Sequence, residues 1–417
     1  MARTDNLKNY LTDVANAIRE KTNTTDKIKA SEFDDKIKGI SGASEQWEWT
    51  LNNVIDFGSA NPTFFKGRTY LKVLPNYLED KCLEITNWSN AFNGCTNLTE
   101  IDINTSNGTN FERTFYNCKG IVDGEVFATN VDFSKATTLF ECFLGCSSMT
   151  KSPKIDTQAT NMRGVFYNCP KLAIVSEIDT SNATNLIDIF GLDAQLTIVP
   201  QLNTSKVTAL EGVFRGCSSL ENFPTLDCSS VTSLTNLFQN CSKLTNSQIK
   251  LVNMNTAKTI NAPSMFQNCI ALTSLDKTMV DASHFYNLTS FVEGCTALES
   301  VDLDFSSVNN YLATFRGCTN LKSIKTLDFT NVVNNTYLNN MFVNCTALED
   351  VEIVAESIKV NISFINSSLL TDTSIQNIID GLATVSTQRT LTLHADVKAK
   401  LTDEQKNTIT TKNWKLA

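Results

Sequence analysis

Apolar residues recur along this chain in a fixed figure. Phe92, Phe115, Phe143, Phe166, Phe190, Phe214, Phe238, Phe266, Val292, Phe315 and Phe342 are each followed, three positions on, by Cys95, Cys118, Cys146, Cys169, Asp193, Cys217, Cys241, Cys269, Cys295, Cys318 and Cys345. Three further on stands Leu, Ile or Met, from Leu98 to Leu348, and the position before the cysteine is mostly Gly or Asn. The steps run from 23 to 28 residues. A figure repeated eleven times at that period predicts a solenoid, in which each coil contacts only its neighbours and stacking supplies the core.

The pattern inside one coil predicts strand, turn, short helix, turn. Leu196 to Leu202 spaces its apolar residues as a short strand does, and Asn203-Thr204-Ser205 reads as a turn. Leu210, Val213 and Phe214 lie three and four apart, which places them on one helical face. The predicted fold class is therefore an α/β repeat.

Both ends depart from the repeat. Over residues 1–42, Leu7, Leu11, Val14 and Ile18 share one helical face, and Ser31-Glu32-Phe33-Asp34 offers a second capped start with Phe33 and Ile37 on its apolar side, predicting a small two-helix module. Residues 43–88, with Trp47, Trp49, Phe57, Phe64 and Phe65, are expected to cover the first coil of a solenoid spanning 89–350. Over 351–417 the period fades. A helix around Ile375 to Leu382, a strand at Thr390 to Leu393 and a helix near Asp403 to Ile409 predict an α+β closing cap.

Composition narrows the function. Charged residues make up 19% of the 417, the formal net charge is -9, and no basic cluster stands out, which argues against a nucleic-acid partner. The opening residues lack the apolar core of a secretory signal, and no stretch approaches the ~20 apolar residues of a membrane span, so neither export nor membrane insertion is expected.

Three sets of residues carry candidate chemistry. The cysteine row, from an odd total of 13, could suggest zinc or redox work, but a solenoid spreads equivalent positions along its axis rather than converging four ligands. Buried, reduced packing cysteines are the expectation, and no cofactor is implied. A second row, Asn104, Asp132, Asp156, Asp179, Asn203, Asp227, Asn255, Asp281, Asp304 and Asp328, follows the strand's last apolar residue. It reads either as cation or sugar ligands or, better, as Asx turns, because Asp and Asn interchange freely there. Exposed aromatics are the third set. Phe133, Phe305 and Phe329, in the slot after that row, and Tyr116 and Tyr167, two before a cysteine, are the candidate ligand-binding residues, since rings stack on sugars and peptides at low entropic cost. With two histidines, His284 and His394, neither with an evident partner, the chain is not expected to be an enzyme.

The Phe-x-Gly/Asn-Cys-x-x-Leu figure, with turns such as Ile178-Asp179-Thr180-Ser181, resembles the BspA-like class of bacterial leucine-rich repeats over residues 89–350. The run from Leu11 to Phe33 resembles a segment that opens virion proteins of phages of Gram-positive bacteria. The tail, from Leu391 through Lys400 to Gln405 and on to Leu416, is similar to the terminal segment of phage and prophage repeat proteins, with Asn413 where Gly is usual. These resemblances imply a leucine-rich-repeat-like solenoid in a phage particle, on the tail or baseplate and in multiple copies. Residues 1–42 would contact other virion proteins, and the solenoid would face a host cell-surface glycan or protein. Capsid decoration, a head fibre or a bacterial surface adhesin are the competing expectations.

Overall fold

A computed structural model describes residues 65–69, 71–74, 82–83 and 85–417. The attachment candidates Leu7, Leu11, Val14, Ile18, Phe33 and Ile37 lie outside the described residues. What is described is a repeat solenoid built mostly of turns and short parallel strands.

Successive coils are tied by backbone pairing. A row of parallel bridges runs without a gap from Asn87 through Asn110, Thr138, Asn161, Asn185, Ala209, Ser233, Asn261 and Asn287 to Asn310. The strands Ser274–Asp276, Ser300–Asp302, Ser323–Leu327 and Asp350–Ile353 pair in parallel, each with the next. Such pairing of equivalent positions is how one coil satisfies its neighbour's backbone.

The helix expected at Leu210 to Phe214 does not form. All three side chains are buried as predicted, but the backbone bonds go elsewhere: the N–H groups of Leu210, Gly212, Phe214 and Gly216 donate to Ser233, Thr235, Leu237 and Gln239 of the next coil. Gly212 and Gly216 are left-handed, at φ 61° and 76°. Every coil repeats this pair, five positions and one position before its cysteine, as at Asn90 and Gly94 or Asn236 and Asn240. A left-handed residue every fourth position breaks an α-helix and turns alternate N–H groups outward to the neighbour. Within the array the described α-helix is the four-residue insert Gly124–Phe127, capped by Asp123, whose carboxylate accepts from the N–H groups of Glu125 and Val126.

The core is a column of rings. Phe92, Phe115, Phe143, Phe166, Phe190, Phe214, Phe238 and Phe266 stack face to face with centroids 5.1–6.1 Å apart, one ring per coil. Where Val292 interrupts the row, Phe291 meets Phe266 edge-on at 5.4 Å instead. Offset stacking of this kind adds to the area each ring removes from water.

Residues beyond the array hold the helices Asp372–Gly381, Ala395–Lys400 and Asp403–Thr411 and a parallel sheet ordered Ile362–Phe364, Arg389–Leu393, Trp414–Leu416. Phe364 continues the ring column, stacked on Phe342 at 4.6 Å. Asn413 adopts φ 67°, a backbone that favours Gly, and its amide donates to the carbonyls of Val385 and Ser386. Among the described residues no helix is long and apolar enough to cross a membrane.

Candidate functional site

The cysteine row is inert. Each described thiol is free and buried, and each ladder cysteine donates its S–H to a carbonyl one coil back: Cys118 to Phe92 at 3.1 Å, Cys217 to Phe190 at 3.1 Å, Cys345 to Phe315 at 3.1 Å. Burial pushes the Cys95 and Cys295 thiols up to about 12, far from the thiolate form that redox or metal chemistry needs. Among the described residues no group of three His, Cys, Asp or Glu side chains is placed to hold a metal ion.

The Asp/Asn row forms Asx turns. Oδ1 of Asn104, Asp132, Asp179, Asn203, Asp227, Asp281, Asp304 and Asp328 accepts the N–H two residues on, at 2.8–3.2 Å. Bonding from the Ser306 hydroxyl and N–H outweighs desolvation and holds the Asp304 carboxyl below its usual range. At Asp156 the turn is closed differently, by the Thr157 hydroxyl accepting the Ala159 N–H, which leaves the Asp156 side chain exposed.

The three phenylalanines placed after this row are not a binding surface. Phe133, Phe305 and Phe329 are 3%, 1% and 0% exposed. Phe133 packs edge-on against Phe111, and Phe305 and Phe329 flank Tyr311, whose hydroxyl donates to the Asp328 carbonyl at 2.6 Å. Side chains alternate inward and outward along an extended segment, so the neighbour of a surface Asp must point in. Thr105, Thr180 and Thr204, buried in the same slot of other coils, show the same direction.

Tyr116 and Tyr167 are half-buried. The Arg215 guanidinium lies over the Tyr167 ring, 5.6 Å from its centroid, and donates to both the Tyr167 hydroxyl and Asp188 Oδ1. One face of that ring is thereby already covered. Tyr167 also leans over Gly191, where an added Cβ would meet ring atoms at 2.9 and 3.1 Å.

What sequence reasoning missed is a furrow along the Asx row. A cavity of about 560 Å³ is lined by Asp132, Lys154, Asp156, Glu177 and Asp179 over a floor that includes Val131, Ile155 and Ile178. A second cavity, of about 470 Å³, adjoins it at Val131 and Asp132 and reaches back to Asp102 and Asn104. A third, of about 420 Å³, adjoins it at Ile178 and Asp179 and continues past Asn203 to Asp227 and Val252. Consecutive coils thus line one open trough. Its walls are carboxylates, amides and hydroxyls, and its lining cation, Lys154, is paired with Glu177 at 2.5 Å. Side chains of this kind exchange hydrogen bonds with a hydroxyl-rich chain, while Val131, Ile155 and Ile178 of the floor are buried and Val252 is exposed.

Comparison with known proteins bears on the repeat. The family model described as BspA type leucine rich repeat region matches residues 77–188 and 289–386, together half of the chain. A second, described as a Mycoplasma protein of unknown function, DUF285, matches 160–277 and 193–303. Among solved structures the chain is similar to a leucine-rich repeat protein from Bacteroides ovatus ATCC 8483, at 18% identity over 85% of each chain and a TM-score of 0.40. No curated protein matches the chain.

Proposed function

Since the chain belongs to the BspA-type leucine-rich repeat family, we propose that it is a non-catalytic display solenoid of a phage particle, attached at the tail or baseplate and presenting its furrow to a host-surface glycan. In this reading residues 1–42 are the dock, eleven coils over 89–350 are the rigid stalk, and 351–417 close the stack.

The observation that carries the binding half is the trough from Asp102 to Val252, a run of repeated hydroxyl-bonding groups at the spacing of the coils. A repeating polymer laid along it meets the same chemistry at each step, so weak contacts at successive coils add. Recognition rests on hydrogen bonds rather than ring stacking, because Phe133, Phe305 and Phe329 are in the core. The virion half is supported by the resemblance of residues 11–33 to the opening segment of phage virion proteins.

Imaging of intact particles tests the assignment. Solenoid density at the tail tip or baseplate is the expected result. Density on the capsid would reassign the chain to decoration, and its absence from particles together with surface labelling of a bacterium would reassign it to adhesion.

A further inference from the structure

One coil departs from the thiol row, and its geometry is specific. In the others, the carbonyl three residues before the cysteine accepts that cysteine's own N–H, as Phe115 does from Cys118 and Phe238 from Cys241. The same carbonyl accepts the S–H of the following coil, as Phe115 does from Cys146 and Phe238 from Cys269. Asp193 occupies this place between Cys169 and Cys217 and is 0% exposed. Its Oδ1 accepts the Cys169 N–H at 2.7 Å, so that N–H is turned away from Phe166. Its Oδ2 is buried with no hydrogen-bond partner. The coil therefore holds a lone buried carboxyl oxygen, and the Phe166 carbonyl lacks the thiol donor that a cysteine at 193 would bring.

A buried carboxylate with a single donor would be costly, and a neutral acid would not. We infer that Asp193 is held as the protonated acid, its Oδ2–H donating to the Phe166 carbonyl, so that a proton does the work of the missing thiol and this coil's closure is linked to pH. The titratable groups facing it are the Cys169 and Cys217 thiols, both kept neutral by burial. Asp188 in the same coil accepts from Arg215 of the following coil, which also donates to the Tyr167 hydroxyl. Desolvation acts in the same sense, raising the Asp193 carboxyl well above its ordinary value. The folded form thus holds a proton that the opened coil releases. The coil's stability is complete below the opened-state carboxyl range near pH ~4 and declines as pH rises from there toward the folded-state value.

The test is hydrogen exchange on the full chain between pH 5 and 8, comparing protection factors for a peptide spanning 166–196 with one spanning 238–269. For the native chain the first is expected to fall by up to tenfold per pH unit relative to the second. In Asp193→Asn, whose amide can both accept from Cys169 and donate to Phe166, and in Asp193→Cys, the ratio is expected to be flat. An infrared carbonyl band of a protonated carboxyl, present in the native chain at pH 7 and absent from either variant, is the second expected sign and needs only one variant to fold. A native ratio that does not change with pH, or the absence of that band, overturns the inference.

Discussion

The inner face of the coil and its outer corner are built from the same repeat yet behave differently. Inside, the ring and thiol rows admit almost no substitution of role: a Val in the ring row is compensated by Phe291, and an Asp in the thiol row leaves an orphaned oxygen. On the outer corner Asp and Asn alternate freely, because the turn needs only one Oδ1 acceptor. The turn therefore needs an acceptor rather than a charge, although at Asp304 and Asp227, where hydrogen bonds hold the carboxyl low, the charge also contributes.

The largest effect should come from breaking the inner column. Phe214 is fully buried between Phe190 at 5.9 Å and Phe238 at 5.8 Å, so Phe214→Ala is expected to cost ~3–5 kcal/mol by urea unfolding. A cost under ~1 kcal/mol would mean that the stack does not hold the coils together.

Next is the outlier in the thiol row. Asp193→Asn is expected to stabilise the chain at pH 7, read as a raised urea midpoint, because the native acid must keep a proton that the unfolded chain gives up there. The gain should shrink as pH falls toward 4, because the raised native carboxyl favours folding only where the unfolded chain is also protonated. Urea midpoints at the two pH values check the sign, and a gain that grows on acidification would reverse it.

A smaller effect is expected beside it. Leu192 holds φ 68° at a place where other coils carry Gly or Asn, so Leu192→Gly should relieve ~1 kcal/mol of backbone strain, read as a raised midpoint. A lowered midpoint would show that the exposed leucine side chain contributes more than its backbone costs.

The outer corner should barely respond. Asp132→Asn and Asp179→Asn keep the Oδ1 acceptor and are expected to lie within ~0.5 kcal/mol of the native chain. A larger loss would tie the charge to the fold and contradict the separation of the two faces.

The rows themselves were legible in the sequence because each has a fixed spacing and a narrow residue choice. The inert reading of the cysteines and the Asx reading of the Asp/Asn row followed from that. The helix at Leu210 to Phe214 was misread because a three-and-four spacing marks burial on one face, not the direction of the N–H groups. The left-handed row at Asn90, Arg113, Glu141, Asp188 and Ser264 was hidden by its mixed residues, although Gly164 and Gly212 in the same row were a signal. Phe133, Phe305 and Phe329 read in the sequence as candidate ligand-binding residues because they are aromatic. Thr105, Thr157, Thr180, Thr204 and Ala282 in the equivalent slots are also buried, whereas Thr256 is exposed and the preceding Asn255 is buried instead. The Asp/Asn row that lines the furrow reads in the sequence as possible sugar ligands, but its concavity does not, since that depends on how far each corner projects.

Asp156 offers the most direct measurement of the claim that the furrow binds. Its side chain is exposed within the trough and its turn is closed by Thr157, so Asp156→Arg adds bulk and reverses a charge without touching the fold. Titration of purified host wall polysaccharide against the full native chain and this variant is predicted to show at least a tenfold loss of affinity, about 1.4 kcal/mol, at an unchanged melting temperature. Equal affinity for the two chains would contradict the account.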